Sequence, residues 1–304
     1  MEENKHFTID WTNCRLCPRE CGADRTRGFG ACKVGNTITA ARAALHMWEE
    51  PCISGKEGSG AVFFSGCTLK CCFCQNFEIS QQYKGYEVTE HELADIFLML
   101  QDKGANNINL VSPTQFLPGI ITALDIARPK LKIPVVYNCG GYESSETIDM
   151  LNGYVDIYLP DLKYFDNKFA LKYSGANGYF DIAIEAIKHM QAQVGKPCYD
   201  DSGIMKSGVI VRHLTLPSLR HDSEKLIYAL RDNFEPDDIV LSLMSQYVPM
   251  HRAYEYKEIN RRISTFEYNF VVDLAASLGF EGYSQERAAA DKGYVPEFFG
   301  SKPE

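Results

Sequence analysis

The chain has no surplus of basic residues: 31 Lys plus Arg stand against 40 Asp plus Glu, a formal net charge of −9. A surface of that sign is poorly suited to a phosphate backbone, so no nucleic-acid partner is expected. No run approaches the roughly 20 apolar residues that a membrane-spanning helix needs, and no membrane association is expected either. The opening Met1-Glu2-Glu3-Asn4-Lys5-His6 has no basic stretch followed by an apolar one. A secretory signal is therefore not read there, and a cytoplasmic location is expected. Internal repeats and low-complexity tracts are also missing, and the length suits one large α/β unit with a modest appendage.

Cysteine, by contrast, is plentiful, with 11 in 304 residues. In a reducing compartment thiols stay free, so metal or redox chemistry is expected rather than a disulfide framework. Their placement is uneven. Cys14, Cys17, Cys21 and Cys32 form one group and Cys67, Cys71, Cys72 and Cys74 another, leaving Cys52, Cys139 and Cys198 scattered.

From about residue 60, short β-rich apolar runs alternate with amphipathic stretches, the pattern of βα units around a parallel sheet. Six strands are predicted: Ala61 to Ser65, Asn107 to Val111, Ile133 to Asn138, Val155 to Leu159, Gly208 to Leu214 and Asp238 to Leu243. Helix starts are read at Thr89, Ser144 and Ser223, each a capping oxygen followed by an early acid, and the first helix is expected to stop near Gly104. Leu93, Ile96, Phe97 and Leu100 recur at helical spacing and are read as core. Six βα units fall short of the eight in an ordinary barrel, so either the barrel is incomplete or the sheet is open and doubly wound. Both place chemistry at the carboxyl ends of the strands. The expected divisions are 1–59 for a Cys-rich module, 60–250 for the βα units, and 251–304 for C-terminal helices and a tail from Gly293 to Glu304.

Directly after the first predicted strand comes Ser65-Gly66-Cys67-Thr68-Leu69-Lys70-Cys71-Cys72-Phe73-Cys74-Gln75-Asn76. Cys67, Cys71 and Cys74 fit CxxxCxxC, with Cys72 as a surplus thiol. Three thiolates on one tight loop can each bind one iron of a 4Fe–4S cube, leaving the fourth iron open to a substrate. A structural zinc knuckle or free thiols are the plainer readings.

This spacing, with the aromatic Phe73 before the third cysteine, resembles the radical S-adenosylmethionine (radical SAM) superfamily over most of residues 60 to 250. The resemblance implies a partial (β/α)6 TIM-type barrel with a small Cys-rich N-terminal extension, and a 4Fe–4S cluster on Cys67, Cys71 and Cys74. It also implies reductive cleavage of S-adenosylmethionine to methionine and a 5′-deoxyadenosyl radical, with an electron donor such as flavodoxin or ferredoxin. Asp161-Leu162-Lys163 is similar to the DxK motif of glycyl-radical activating enzymes, including those of pyruvate formate-lyase, and the strand bearing Arg212 is similar to theirs as well. Asp161 and Lys163 face one side of an extended chain, while Arg212 and His213 face opposite sides, which leaves His213 structural.

Where many members carry Gly-Gly-Glu after the second strand, this chain has Val111-Ser112-Pro113-Thr114-Gln115. The residues expected to hold S-adenosylmethionine are thus Phe73, Ser112, Thr114, Asn138, Asp161, Lys163, Arg212 and Gln246, with Gly140-Gly141 allowing close backbone approach and His251 as an outlying contact. The target is a glycyl-radical protein, or else a small molecule or peptide. The rival from another class is a non-catalytic iron–sulfur or zinc-binding protein that passes electrons or scaffolds a partner.

Cys14, Cys17, Cys21 and Cys32 supply four thiols in a glycine-rich segment. Zinc or a second iron–sulfur cluster fits them equally, spacing does not choose, and a metal-free structural or loosely packed segment is the other reading. Cys52 is read as a small buried hydrophobe.

Overall fold

The computed structural model describes residues 9–284. The opening hexapeptide and the tail from Gly293 to Glu304 lie outside the described residues. Along the chain the elements run β1 (Thr39–His46), α1 (Pro51–Ser54), β2 (Ser59–Phe64), α2 (Phe77–Ser80), β3 (Tyr86–Glu87), α3 (Glu90–Asp102) and β4 (Ile108–Val111). They continue with α4 (Leu117–Ala127), β5 (Val135–Cys139), α5 (Ser145–Asp149), β6 (Ile157–Pro160), α6 (Asn167–Ser174), α7 (Tyr179–Val194) and β7 (Cys198–Tyr199). The last are β8 (Met205–Leu214), α8 (Arg220–Asn233), β9 (Val240–Met244), α9 (Thr265–Ser277) and β10 (Gly282–Ser284).

Strands β2, β4, β5, β6, β8, β9 and β10 are parallel neighbours in chain order. An unreversed order is the walk of a barrel and excludes the doubly wound alternative. The walk does not close, because β10 forms one edge and β3 the other. All six predicted strands are present, and β10 adds a seventh parallel strand that the sequence reading missed. The stretch before residue 60 contributes β1, which pairs antiparallel with β2 from Ala40 opposite Phe64 to His46 opposite Ser59.

Strands β2, β5, β6 and β9 are buried at every residue, as parallel strands covered on both faces must be. Alternation divides their side chains into two layers. Val62, Phe64, Leu110, Tyr137, Tyr158, Val209 and Leu241 face the helices and form the main core with the stripe on α3. Val136, Ile157, Leu159, Ile210 and Val240 face inward and pack on Cys52 and Ile53 of α1, which stops the amino-terminal mouth of the barrel. Cys52 is buried in this plug, as its reading as a small hydrophobe requires.

Thr89 caps α3 through a complete capping box with Glu92, and Ser144 caps α5. The start expected at Ser223 is displaced: α8 begins at Arg220 after Leu219, and Ser223 is buried, its hydroxyl 2.8 Å from His213 Nε2. A tertiary partner outcompeted the capping role there. Among the described residues no helix is long and apolar enough to cross a membrane.

Candidate active site

The loop leaving β2 turns at Gly66, whose φ of +78° is open to glycine. A side chain there would also meet the Cys32 carbonyl at 2.7 Å. The loop is then pinned by hydrogen bonds from several directions. The Gln115 side-chain amide donates to the carbonyls of Ser65 (2.9 Å) and Gly66 (3.2 Å). The Lys70 and Cys72 amides donate to Ser174 and Tyr173 at the end of α6, and Gln81 donates to the Cys71 carbonyl.

Each sulfur of the CxxxCxxC trio has a polar neighbour. The Leu69 amide donates to Cys67 Sγ (3.4 Å), the Ser174 hydroxyl donates to Cys71 Sγ (3.0 Å), and Cys74 Sγ lies 3.2 Å from Ser80 Oγ. Burial pushes the Cys67 thiol up to about 12 and Cys74 to about 11, with Cys71 adding to both and Lys163 opposing. Such thiols ionise only when a strong cationic centre takes up their charge. Cys72 is buried away from the cavity, its backbone held by Tyr173 and by the Arg252 amide.

Cys71 and Cys74 open on a cavity of about 720 Å³ that occupies the barrel interior. Its walls are the inward residues above the plug: Val111 of β4, Asn138 of β5, Asp161 and Lys163 after β6, Arg212 of β8, and Ser242 and Met244 of β9. Arg212 is the hub. Its Nε donates to Asp161 Oδ1 (2.9 Å), Nη2 to Asn138 Oδ1 (2.6 Å) and Nη1 to Glu49 Oε2 (3.4 Å), while Lys163 pairs with the other Asp161 oxygen. Burial opposes ionisation of Asp161, yet Arg212 and Lys163 outweigh it and hold its carboxyl below the ordinary range.

The floor is acidic. Glu49 and Glu50, just ahead of α1, reach the same cavity. Burial raises both, Glu50 to about 6, against the pull of Arg212, and Glu50 Oε2 is buried with no hydrogen-bond partner. Sequence reasoning passed over this pair. The only signal was two adjacent acids inside the largely apolar Met47-Trp48-Glu49-Glu50-Pro51-Cys52-Ile53, and nothing local places that segment under a barrel.

Of the residues expected to hold S-adenosylmethionine, Phe73, Asn138, Asp161, Lys163, Arg212 and Gln246 meet at this cavity. Ser112 and Thr114 do not line it. Ser112 takes φ +54° and its carbonyl accepts from Gln115, while Thr114 is buried and donates to Glu143 Oε1 (2.8 Å). Gly141 accommodates the neighbouring Asp161 carbonyl at φ +76°, so the close approach is between the segments that follow β5 and β6. His213 is buried between the Leu162 carbonyl and Ser223, as a structural residue should be. His251 stacks on Phe77 (4.7 Å) and lies outside the cavity wall.

Among the described residues, no three His, Cys, Asp or Glu side chains close around one metal ion. In a cube each thiolate takes its own iron, so the three sulfurs need not converge on one ion. Three neighbouring thiols, Cys71 buried and Cys67 and Cys74 half-buried, with a cation and an open cavity beside them, fit a 4Fe–4S cluster with one unligated iron.

Comparison with known proteins agrees. Residues 61–204 match the family described as the radical SAM superfamily. The uncharacterized protein MJ0674 of Methanocaldococcus jannaschii is 33% identical over 273 residues, covering 86% of this chain and 74% of that one. Solved structures of Streptococcus suis SuiB share the fold. The one bound to the precursor peptide SuiA is 17% identical with a TM-score of 0.51 over 74% of this chain. The one bound to S-adenosylmethionine is 14% identical with a TM-score of 0.50 over 72%. The match takes in 48% of each SuiB chain, about half its length. An unclosed parallel barrel whose first βα loop carries this cysteine trio, matched across that loop by the family, makes the chain an enzyme of the radical SAM superfamily.

Proposed function

We propose that the chain cleaves S-adenosylmethionine reductively at a 4Fe–4S cluster on Cys67, Cys71 and Cys74 and acts on a small molecule or peptide that shares the cavity. When bound, the cluster supplies one electron to the sulfonium, which leaves methionine and a 5′-deoxyadenosyl radical able to take hydrogen from an unactivated C–H bond. The protein's part is to hold and orient. Arg212 and Lys163 carry donors for the methionyl carboxylate, and Asp161 accepts from the ribose hydroxyls or the ammonium. Asn138 keeps the guanidinium aimed, and Phe73 and Gln246 flank the cysteine end of the cavity, next to the adenine or the substrate. The barrel walls and the α1 plug close the cavity at its sides and its amino-terminal end.

The observation that carries the reading is that Cys71 and Cys74 share one cavity with Asp161, Lys163 and Arg212. Its volume, about 720 Å³, lies within the roughly 300–1,000 Å³ usual for small-ligand pockets. That room favours a small substrate, or one residue of a peptide, beside the nucleotide. A reductant of the flavodoxin or ferredoxin class completes the reaction.

The test is anaerobic reconstitution with iron and sulfide, reduction by dithionite and chromatography of the products of S-adenosylmethionine. Equal amounts of methionine and 5′-deoxyadenosine are expected. A protein with a full cluster and no deoxyadenosine would refute the reading. Deuterium passing from a labelled small molecule or peptide into deoxyadenosine would identify the substrate class. A glycine-centred paramagnetic signal on an added glycyl-radical protein would instead select activation, the alternative that Asp161-Leu162-Lys163 suggests.

A further inference from the structure

Residues 9–38 contain no helix and no strand, and an isolated bridge between Cys14 and Ala23 is their one ladder pairing among the described residues. A stretch of that length with no regular element seldom holds a single conformation unaided. The side chains show what fixes it. Cys14, Cys17, Cys21 and Cys32 all line one small space of about 10 Å³, the room of a single water-sized atom. Arg25 borders the same space and is 2% exposed.

Arg25 is the unexplained group. Its Nη1 points at Cys14 Sγ (3.7 Å), Nη2 donates to the carbonyls of Gly35 and Gln115, and Nε is buried with no partner. Among the described residues it forms no ion pair with a carboxylate, although Trp11 covers one face of the guanidinium at 4.6 Å. A buried cation without counter-charge is strongly unfavourable. The cysteines that line the same space are groups able to carry that charge, as thiolates.

We propose that Cys14, Cys17, Cys21 and Cys32 form a tetrathiolate metal centre, with Arg25 as the internal cation that offsets its charge. Each thiol gives its proton to solvent as a divalent ion binds, so the ion and four thiolates together carry a net negative charge. The thiols are not drawn in around an ion as they stand. Cys21 is the exposed member, which makes it the entry side. The size of the space favours a single ion, with zinc as the expected occupant.

The centre also braces the neighbouring loop. Arg25 holds the Gln115 carbonyl, the Gln115 side chain holds the carbonyls of Ser65 and Gly66, Arg19 donates to the Thr68 carbonyl, and Thr68 itself lines the four-thiol space. Those residues lead into and follow Cys67.

The test uses the full chain with Cys67, Cys71 and Cys74 all changed to Ala, which removes the barrel's own iron ligands and so separates this proposal from the radical SAM reading. Elemental analysis of that variant is expected to find about one equivalent of zinc; iron with matching sulfide would equally support a tetrathiolate centre, as a cluster. Adding Cys14→Ser and Cys32→Ser should abolish the metal. Because those changes also threaten folding, Arg25→Met and Arg25→Lys are measured in competition with a chelator, where the former should weaken metal binding about 10- to 100-fold and the latter less. A monodisperse triple variant that holds less than about a tenth of an equivalent of any transition metal, and takes up none from added zinc or from iron and sulfide, overturns the proposal.

Discussion

The three thiols at the barrel mouth adjoin a cavity of about 720 Å³, whereas the four thiols of the N-terminal segment enclose about 10 Å³. The first group stands beside paired charges, with Lys163 and Arg212 both on Asp161; the second stands beside Arg25, which has no carboxylate among the described residues. A centre that must admit a ligand needs a missing thiolate, open volume and charges that can exchange partners. A centre that only holds the chain needs full ligation, no volume and a fixed counter-ion. Two cysteine groups in one chain are thus told apart by what surrounds the sulfur.

The sharpest way to break the contrast is at the trio. Cys71→Ala is expected to lose the barrel cluster and bring 5′-deoxyadenosine down to background, while Cys72→Ala keeps both; iron content and chromatography decide. Retained cleavage in Cys71→Ala would remove the ligand assignment. Next in size is Arg212→Gln, which strips Asp161 and Glu49 of their main buried partner. Unfolding in denaturant should show a loss of about 3–5 kcal/mol, and calorimetry should find S-adenosylmethionine bound about 10- to 100-fold more weakly.

Gln115→Ala cuts one of the two links between the groups, leaving Arg19 on the Thr68 carbonyl, and deprives the carbonyls of Ser65, Gly66 and Ser112 of that donor. A loss of about 2–3 kcal/mol is expected, with the Cys67 loop gaining amide exchange before the rest of the barrel. An unchanged loop would mean that the Gln115 side chain does not brace it.

The smallest effect concerns the acidic floor. Glu50 is raised to about 6 in the folded chain, so between its ordinary 4.5 and 6 the folded state binds more protons than the unfolded one. Stability from this group is therefore present at low pH and lost as pH rises through that window, by about 2 kcal/mol. Glu50→Gln should flatten the dependence of unfolding on pH across it. A variant that tracks the parent would show that the group's environment is wetter than its burial indicates.

Much of the fold was legible because its signals are local. Short apolar runs, Thr89 with Glu92 and the CxxxCxxC spacing each need only a few consecutive residues, and the alternation of an extended chain correctly separated Arg212 from His213. The failures share a different cause. Ser223 reads as a cap until His213, from a distant strand, claims its hydroxyl. Thr114 reads as a ligand contact until Glu143 turns it into the core. Glu49 and Glu50 belong to a segment with no visible role until it is seen stopping the mouth of the barrel.

By itself, the sequence determined which thiols lie close enough along the chain to share a loop, where strands and helices alternate, and which side of a strand each residue faces. Those are consequences of bond geometry over a handful of residues. The tertiary structure alone decided that Arg212 gathers Asp161, Asn138 and Glu49, and that Arg25 is buried among four thiols. Charges separated by tens to hundreds of residues meet only when the sheet curls and its two faces are sealed. Burial then determines which charges need a partner, and no local pattern carries that information.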